Sequence, residues 1–187
     1  SDLMFKYKNI VIYRTSNTGV ANARNIGIRI AKGDYVTFVD SDDIILHDHI
    51  ECLIKEMSSC DMVIDAIKCF GNNQRSYLDE YLKCIKEYGN ILEPNVIASD
   101  LFFFHTSGII SSVCNKLYKK RIIDENNIFF NASLMDGEDF SFNLEYLLHC
   151  DRISIIPQEG YLYRKHSEQS TYPRRRFKFY SDNINVL

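Results

Sequence analysis

Apolar and polar positions in the first part of the chain alternate between two periods. Residues 8–15 (KNIVIYRT) and 35–40 (YVTFVD) carry the β-branched and aromatic runs of strands, whereas 21–33 (ANARNIGIRIAKG) has helical spacing and closes on a glycine. Strand, helix and strand in that order predict a βαβ unit with parallel neighbours. The alternation continues once more, with a helix over 47–59 (HDHIECLIKEMSS) and a strand over 61–70 (DMVIDAIKCF), before GNNQRS at 71–76 marks a loop.

The second half is less regular. Residues 77–88 and 94–104 read as helices, the second ending in an aromatic run that suits a core. Residues 115–127 (NKLYKKRIIDENN) read as a basic helix and 136–150 (DGEDFSFNLEYLLHC) as a capped amphipathic one. Two short strands follow at 152–157 and 160–166, and residues 173–187 read as a basic C-terminal helix or tail. No internal repeat or low-complexity linker interrupts residues 1–172, which are expected to form one domain.

Composition narrows the class. The 187 residues are 45% hydrophobic and 25% charged, enough to bury a substantial core. A net charge of −3 argues against a nucleic-acid partner, which demands a basic surface. The six cysteines lack CxxC spacing, a pattern of reduced thiols that points to the cytoplasm. No apolar run has the length of a membrane span and no leader opens the chain.

Candidate chemistry gathers at the end of the strand over 35–40. Asp40, Asp42 and Asp43 emerge together there, and so many carboxylates repel one another unless a cation neutralises them. Alternate residues of a strand end point the same way, so Asp40 and Asp42 can converge on one hard cation, Mg²⁺ or Mn²⁺, that keeps positions open for phosphate oxygens. Ligands of open α/β sheets sit at such carboxyl ends. Helix N-capping is the competing explanation for an aspartate here, but a cap uses one or two of the three.

The longer string changes the weight of that motif. Asn17, Gly19, Ala23, Arg24, Asn25, Gly27, Ala31, Gly33, Tyr35, Phe38, Asp40, Asp42 and Asp43 match in order the N-x-G-x-x-x-A-R-N-x-G and A-x-G-x-Y-x-x-F-x-D-x-D-D segments of family 2 glycosyltransferases. A second block, residues 115–142, resembles the family's distal N-K-L-Y region and the Glu-Asp pair at a helix start, here Glu138-Asp139. A third, GYLYRKHSEQST, resembles its Y-x-Y-R ending through Tyr161, Tyr163 and Arg164.

The resemblance implies an α/β GT-A (Rossmann-like) fold, with a mixed, mostly parallel sheet flanked by helices. It also implies that the opening strands of that domain, which supply the nucleobase-binding half, are missing from this chain. The activity implied is inverting, metal-dependent transfer of a sugar from a nucleoside-diphospho-sugar to an acceptor hydroxyl, in polysaccharide or glycolipid assembly. Asp42 is then the first metal ligand, with Asp40 on metal or donor, Asp43 in support and Arg24 reaching the nucleotide. Arg24 tied instead to the acidic loop by a salt bridge is an equal alternative. Asp139 becomes the general base, with Glu138 beside it, although both also suit capping and dipole compensation.

Three smaller expectations complete the set. His166, in a polar loop after a strand, is a candidate to complete the metal shell. Lys116, Lys119, Lys120 and Arg121 form either a phosphate-attracting patch or a solvated face. Arg174, Arg175 and Arg176 with Phe177 and Phe179 suit peripheral contact with an anionic membrane, where a lipid-linked acceptor would be found. Against the enzyme stand a non-catalytic remnant or interaction module of the same fold and a haloacid-dehalogenase-like phosphatase. The phosphatase is disfavoured by Ile44 after Asp43 and by the lack of a distal lysine and acidic motif.

Overall fold

The computed structural model describes Tyr7, residues 9–16, 18–72 and 74–165. His166, the tail at 173–187 and Asn17 of the first motif lie outside the described residues.

Strand β3 (Met62–Gly71) is the spine, because every position from Met62 to Ala66 is buried. A strand buried on both faces needs a layer on each, and its side chains sort by parity. Met62, Ile64 and Ala66 join the larger core, whereas Val63 points the other way into a small cluster with Leu53, Met57, Cys60 and Leu117. Leu53 and Met57 come from helix α2 (His49–Glu56) and its C-cap, which cover that second face.

Around β3 the sheet runs β1 (Tyr35–Val36), β6 (Lys116–Lys119), β3, β7 (Ile153–Lys165), β2 (Ile44–Ile45). Strands β4 (Arg75–Ser76) and β5 (Ile91–Leu92) add to β3 and β7 respectively. The sheet is mixed, but the expectation that it is mostly parallel needs correction. Among the described residues only β3 and β7 pair in parallel, and the other five pairings are antiparallel. Parallel neighbours require a long crossover, and residues 72–152 supply one between β3 and β7.

The larger core is closed by α1 (Val20–Ile30), α3 (Leu78–Tyr88), α4 (Pro94–Ser99), α5 (Leu101–Thr106), α6 (Lys120–Asn126) and α7 (Glu138–Leu147). Aromatic rings fill the space between them and the sheet. Phe130 stacks on Phe142 at 4.2 Å, Phe38 and Tyr118 pack edge-on against them, and Tyr146 is edge-on to Tyr118. Such pairs add about 0.5–1.5 kcal/mol each beyond the area they bury. All six cysteines are free thiols.

Several local expectations are corrected. Residues 9–16 form no strand, and Val11 and Tyr13 stand 74% and 61% exposed. A strand exists by pairing, and without a ladder among the described residues the pattern stays irregular. The predicted βαβ unit is therefore not formed. The strand over 35–40 shrinks to Tyr35–Val36, and the helix over 115–127 splits into β6 and α6. Leu117 and Tyr118 are buried on opposite sides of the sheet, a period-2 arrangement that the lysines around them disguise. The helix over 94–104 breaks at Asp100, whose carboxylate caps α5 by accepting the Phe103 N–H at 3.2 Å.

The two short strands at 152–157 and 160–166 are halves of β7, divided by a register shift opposite Asp65 and Ile67. Gly160 sits at this irregularity. Its N–H donates to Asp65 Oδ2 at 3.1 Å, and His49 Nδ1 stands 2.9 Å from the same oxygen in a fully buried pair. A Cβ at position 160 would fall within 2.6 Å of that oxygen and against the His49 ring.

Candidate active site

Helix α1 presents Asn25 and Arg24 side by side to different partners. Asn25 is buried and spends both ends of its amide on one residue, donating to Phe130 O at 2.9 Å and accepting from Phe130 N–H at 2.7 Å. That double bond fixes α1 against residues 128–130. The Phe130 ring in turn lies 5.4 Å under the Arg24 guanidinium.

Arg24 is thereby held over the sheet with its fork open to two carboxylates. Nη2 donates to Asp40 Oδ1 at 2.9 Å, and Nη1 donates to Asp139 Oδ1 at 2.5 Å, with Glu138 Oε1 3.8 Å away. The alternative in which Arg24 is tied to the acidic loop describes half of this arrangement. The other half joins the loop to the helix that carries Glu138-Asp139. Burial disfavours the Arg24 charge, but Asp139 and Asp40 outweigh it and hold the guanidinium protonated above its usual range.

The acidic loop itself is fastened from β7. Tyr161 Oη donates to Asp43 Oδ2 at 2.6 Å and accepts the Asp40 N–H at 3.2 Å. Arg164 adds its backbone N–H to Asp43 Oδ1 at 2.7 Å and its Nε to the Asp42 carbonyl at 2.7 Å. Burial raises the Asp43 carboxyl despite these donors, and the charges of Asp42 and Asp40 add to the rise. Asp43 is therefore a structural member of the loop, while Asp42 is exposed. Among the described residues no three His, Cys, Asp or Glu side chains converge as a metal-holding group.

Helix α7 begins at Gly137 in a left-handed conformation (φ 81°), and no side chain caps it. Glu138 and Asp139 are thus not explained by capping. Asp139 Oδ2 accepts the Val113 N–H at 3.3 Å, so its two oxygens are gripped from opposite sides by α1 and by the loop over 107–115. Burial, with the charges of Glu138 and Asp40, raises the carboxyl to about 6 against the opposing pull of Arg24 and Val113. One turn on, Asn143 is buried and pins that loop by donating to Ile110 O at 2.7 Å and Ser112 O at 3.0 Å.

A cleft of about 520 Å³ opens over this cluster. Arg24, Asp40, Glu138 and Asp139 line one part of it, and Tyr77, His105, Ser111, Ser112, Tyr163 and Lys165 are among the residues that line the rest. Asp42 and Asp43 are outside its lining, at the loop above. Of the basic residues singled out on 116–121, Lys119 pairs with Asp61 and Lys120 with Asp124, while Lys116 is buried. Lys116, named in the sequence only as part of a basic patch, and Tyr161, named only as a letter of the third motif block, both bear on the site, and Asn143, one residue beyond the second block, was not singled out.

Known proteins are similar to this chain in sequence and fold. A Staphylococcus aureus poly(ribitol-phosphate) beta-N-acetylglucosaminyltransferase, TarP, is 31% identical over 80% of this chain and 44% of its own length. Glycosyltransferase GlyG of Streptococcus pneumoniae is 32% identical over 84% of this chain and 52% of its own, and the uncharacterized glycosyltransferase EpsJ of Bacillus subtilis is 26% identical over 87% and 46%. The chain therefore spans about half the length of the curated relatives it matches. A crystal structure of S. aureus TarS 1-349 in complex with UDP-GlcNAc superposes with a TM-score of 0.68 at 22% identity, covering 99% of this chain and 52% of that one. The shared fold is the expected α/β GT-A fold. The profile of glycosyl transferase family 2 matches residues 2–125, which contain the Arg24 motif and the acidic loop, and the chain belongs to that family.

Proposed function

We propose that the protein transfers a sugar from a nucleoside-diphospho-sugar to an acceptor hydroxyl with inversion, and that Asp139 is the base. The observation that carries this reading is the state of the Asp139 carboxyl. It lines a cleft, it is oriented by Arg24 and Val113, and it is held at about 6. A carboxylate in that range is charged at neutral pH yet basic enough to take a proton as the acceptor oxygen attacks. Glu138 stands beside it, and its negative charge contributes to raising the Asp139 carboxyl. Arg24 fixes the direction in which the Asp139 oxygens point and couples them to the acidic loop.

The acidic loop supplies the donor end. Mg²⁺ and Mn²⁺ take hard oxygen ligands and are commonly held by one or two carboxylates, with water and phosphate oxygens completing the shell. An exposed Asp42 on a loop braced by Tyr161 and Arg164 fits that requirement, and Asp42 with Asp40 would hold the ion. A cation bound there would offset negative charge on the departing diphosphate. The relative solved with UDP-GlcNAc supports a uridine-diphosphate donor. Relatives named for poly(ribitol-phosphate) support a polyol-phosphate polymer as the acceptor. No helix among the described residues is long and apolar enough to cross a membrane.

The decisive experiment compares Asp139→Asn with Glu138→Gln. Asn keeps the shape of Asp and accepts no proton, so turnover should fall by about 10²–10⁴-fold while donor affinity holds. Glu138→Gln should cost much less. Wild-type turnover in Asp139→Asn would remove Asp139 as the base.

A further inference from the structure

Lys116 is fully buried, and neither half of the proposed chemistry uses it. Its Nζ donates to the carbonyl of Ser112 at 2.5 Å and to Asn115 Oδ1 at 2.9 Å. No carboxylate among the described residues forms an ion pair with it, so the ammonium spends its hydrogen bonds on the loop over 107–115. Burying a lysine there is costly, since desolvation lowers its pKa to about 7, and a methionine would fill the space without that cost.

The arrangement of one peptide group explains why an amine is placed there. The Ser112 carbonyl and the Val113 N–H belong to the same planar unit. Lys116 donates to its oxygen, and its N–H donates to Asp139 Oδ2 at 3.3 Å. Amine, peptide and carboxylate are thus in series, and hydrogen bonds in series polarise one another. Asn143 donates to the same Ser112 oxygen from α7, so the peptide is held from two sides.

We infer that Lys116 is a positioning residue for Asp139, acting through the Ser112–Val113 peptide to orient the carboxylate and strengthen the N–H that it accepts. This rests on the reading of Asp139 as the base. The charges facing Lys116 are Asp139 on α7, Cys114 on the loop and Asp65 on β3, and all three favour its protonated form. Those facing Asp139 are Arg24, Glu138 and Asp40.

The test is Lys116→Met in the full protein, followed by kcat, donor Kd, thermal midpoint and the Val113 amide resonance. The expected result is a kcat lower by about 10-fold or more, an unchanged donor Kd, a thermal midpoint no lower than wild type, and a Val113 N–H shifted toward a weaker hydrogen bond. Unchanged kcat in the folded variant, or an unmoved Val113 resonance, would overturn the inference. If the variant does not fold, the wild-type Val113 amide followed across pH 5–8 decides. Two inflections, one from each neighbour, support the series, and a single one refutes it. Because that resonance is read without substrate, failure of the base assignment in Asp139→Asn remains distinguishable from failure of the link to Lys116.

Discussion

Tyr161 and Asp43, on β7 and on the acidic loop, are joined by a hydroxyl-to-carboxylate bond of 2.6 Å, and the same hydroxyl receives the Asp40 N–H at 3.2 Å. One buried oxygen therefore sets the spacing of two aspartates. Tyr161→Phe keeps the ring and removes both bonds. Donor affinity measured by calorimetry with Mg²⁺ or Mn²⁺ should fall by about 5-fold, the equivalent of one net hydrogen bond. An affinity equal to wild type would mean that the loop holds its shape without β7.

Arg24 spans Asp40 and Asp139 with the two arms of one guanidinium. A lysine is a single point charge and cannot reproduce that fork. Arg24→Lys should retain the fold by circular dichroism and lose about 10-fold or more in turnover, as the base loses its orientation. Wild-type turnover would show that one ion pair suffices.

The raised Asp139 carboxyl sets opposite trends for rate and stability. Turnover should decline as pH falls through about 6, where the base becomes protonated. Stability from this group runs the other way. Its pKa is higher folded than unfolded, so the folded state binds the extra proton between about 6 and the ordinary value of 3.8, and the Asp139 contribution becomes more favourable as pH falls across that window. A pH–rate profile and denaturant melts of wild type against Asp139→Asn check both signs. An acid limb displaced well below 5 would contradict the assignment.

Removal of divalent cation provides a separate check. Excess chelator should abolish or strongly weaken donor binding, and Asp42→Asn should weaken it even with saturating Mn²⁺. Equal affinity with and without chelator would leave the acidic loop without a metal role.

Legibility in the sequence followed the physical origin of each feature. Helices α1 and α7 were readable because each buries one face, Ala21, Asn25 and Ile28 in the first, Phe140, Asn143 and Leu147 in the second. The acidic loop and Glu138-Asp139 were readable as concentrated charge. Strand β6 was hidden because its lysines mimic a solvated helix, although Lys116 is buried. The double grip of Arg24 joins residues 16 and 115 positions apart, and the bracing of Asp43 by Tyr161 spans 118. Neither leaves a local periodicity to read. Asn25 stood in the motif as a letter, and only its two bonds to Phe130 explain why an amide is needed there.

The close approach at Gly160 extends to what the gene can tolerate. With the backbone N–H on Asp65 and no room for a methyl beside His49, position 160 admits no side chain unless the buried pair is rebuilt with it. In a saturation library scored for folding, that column should be nearly blank although Gly160 is not in the lining of the cleft over Asp139. Variants that recover should carry compensating changes at 49 and 65, two positions that a search confined to the active site would never vary.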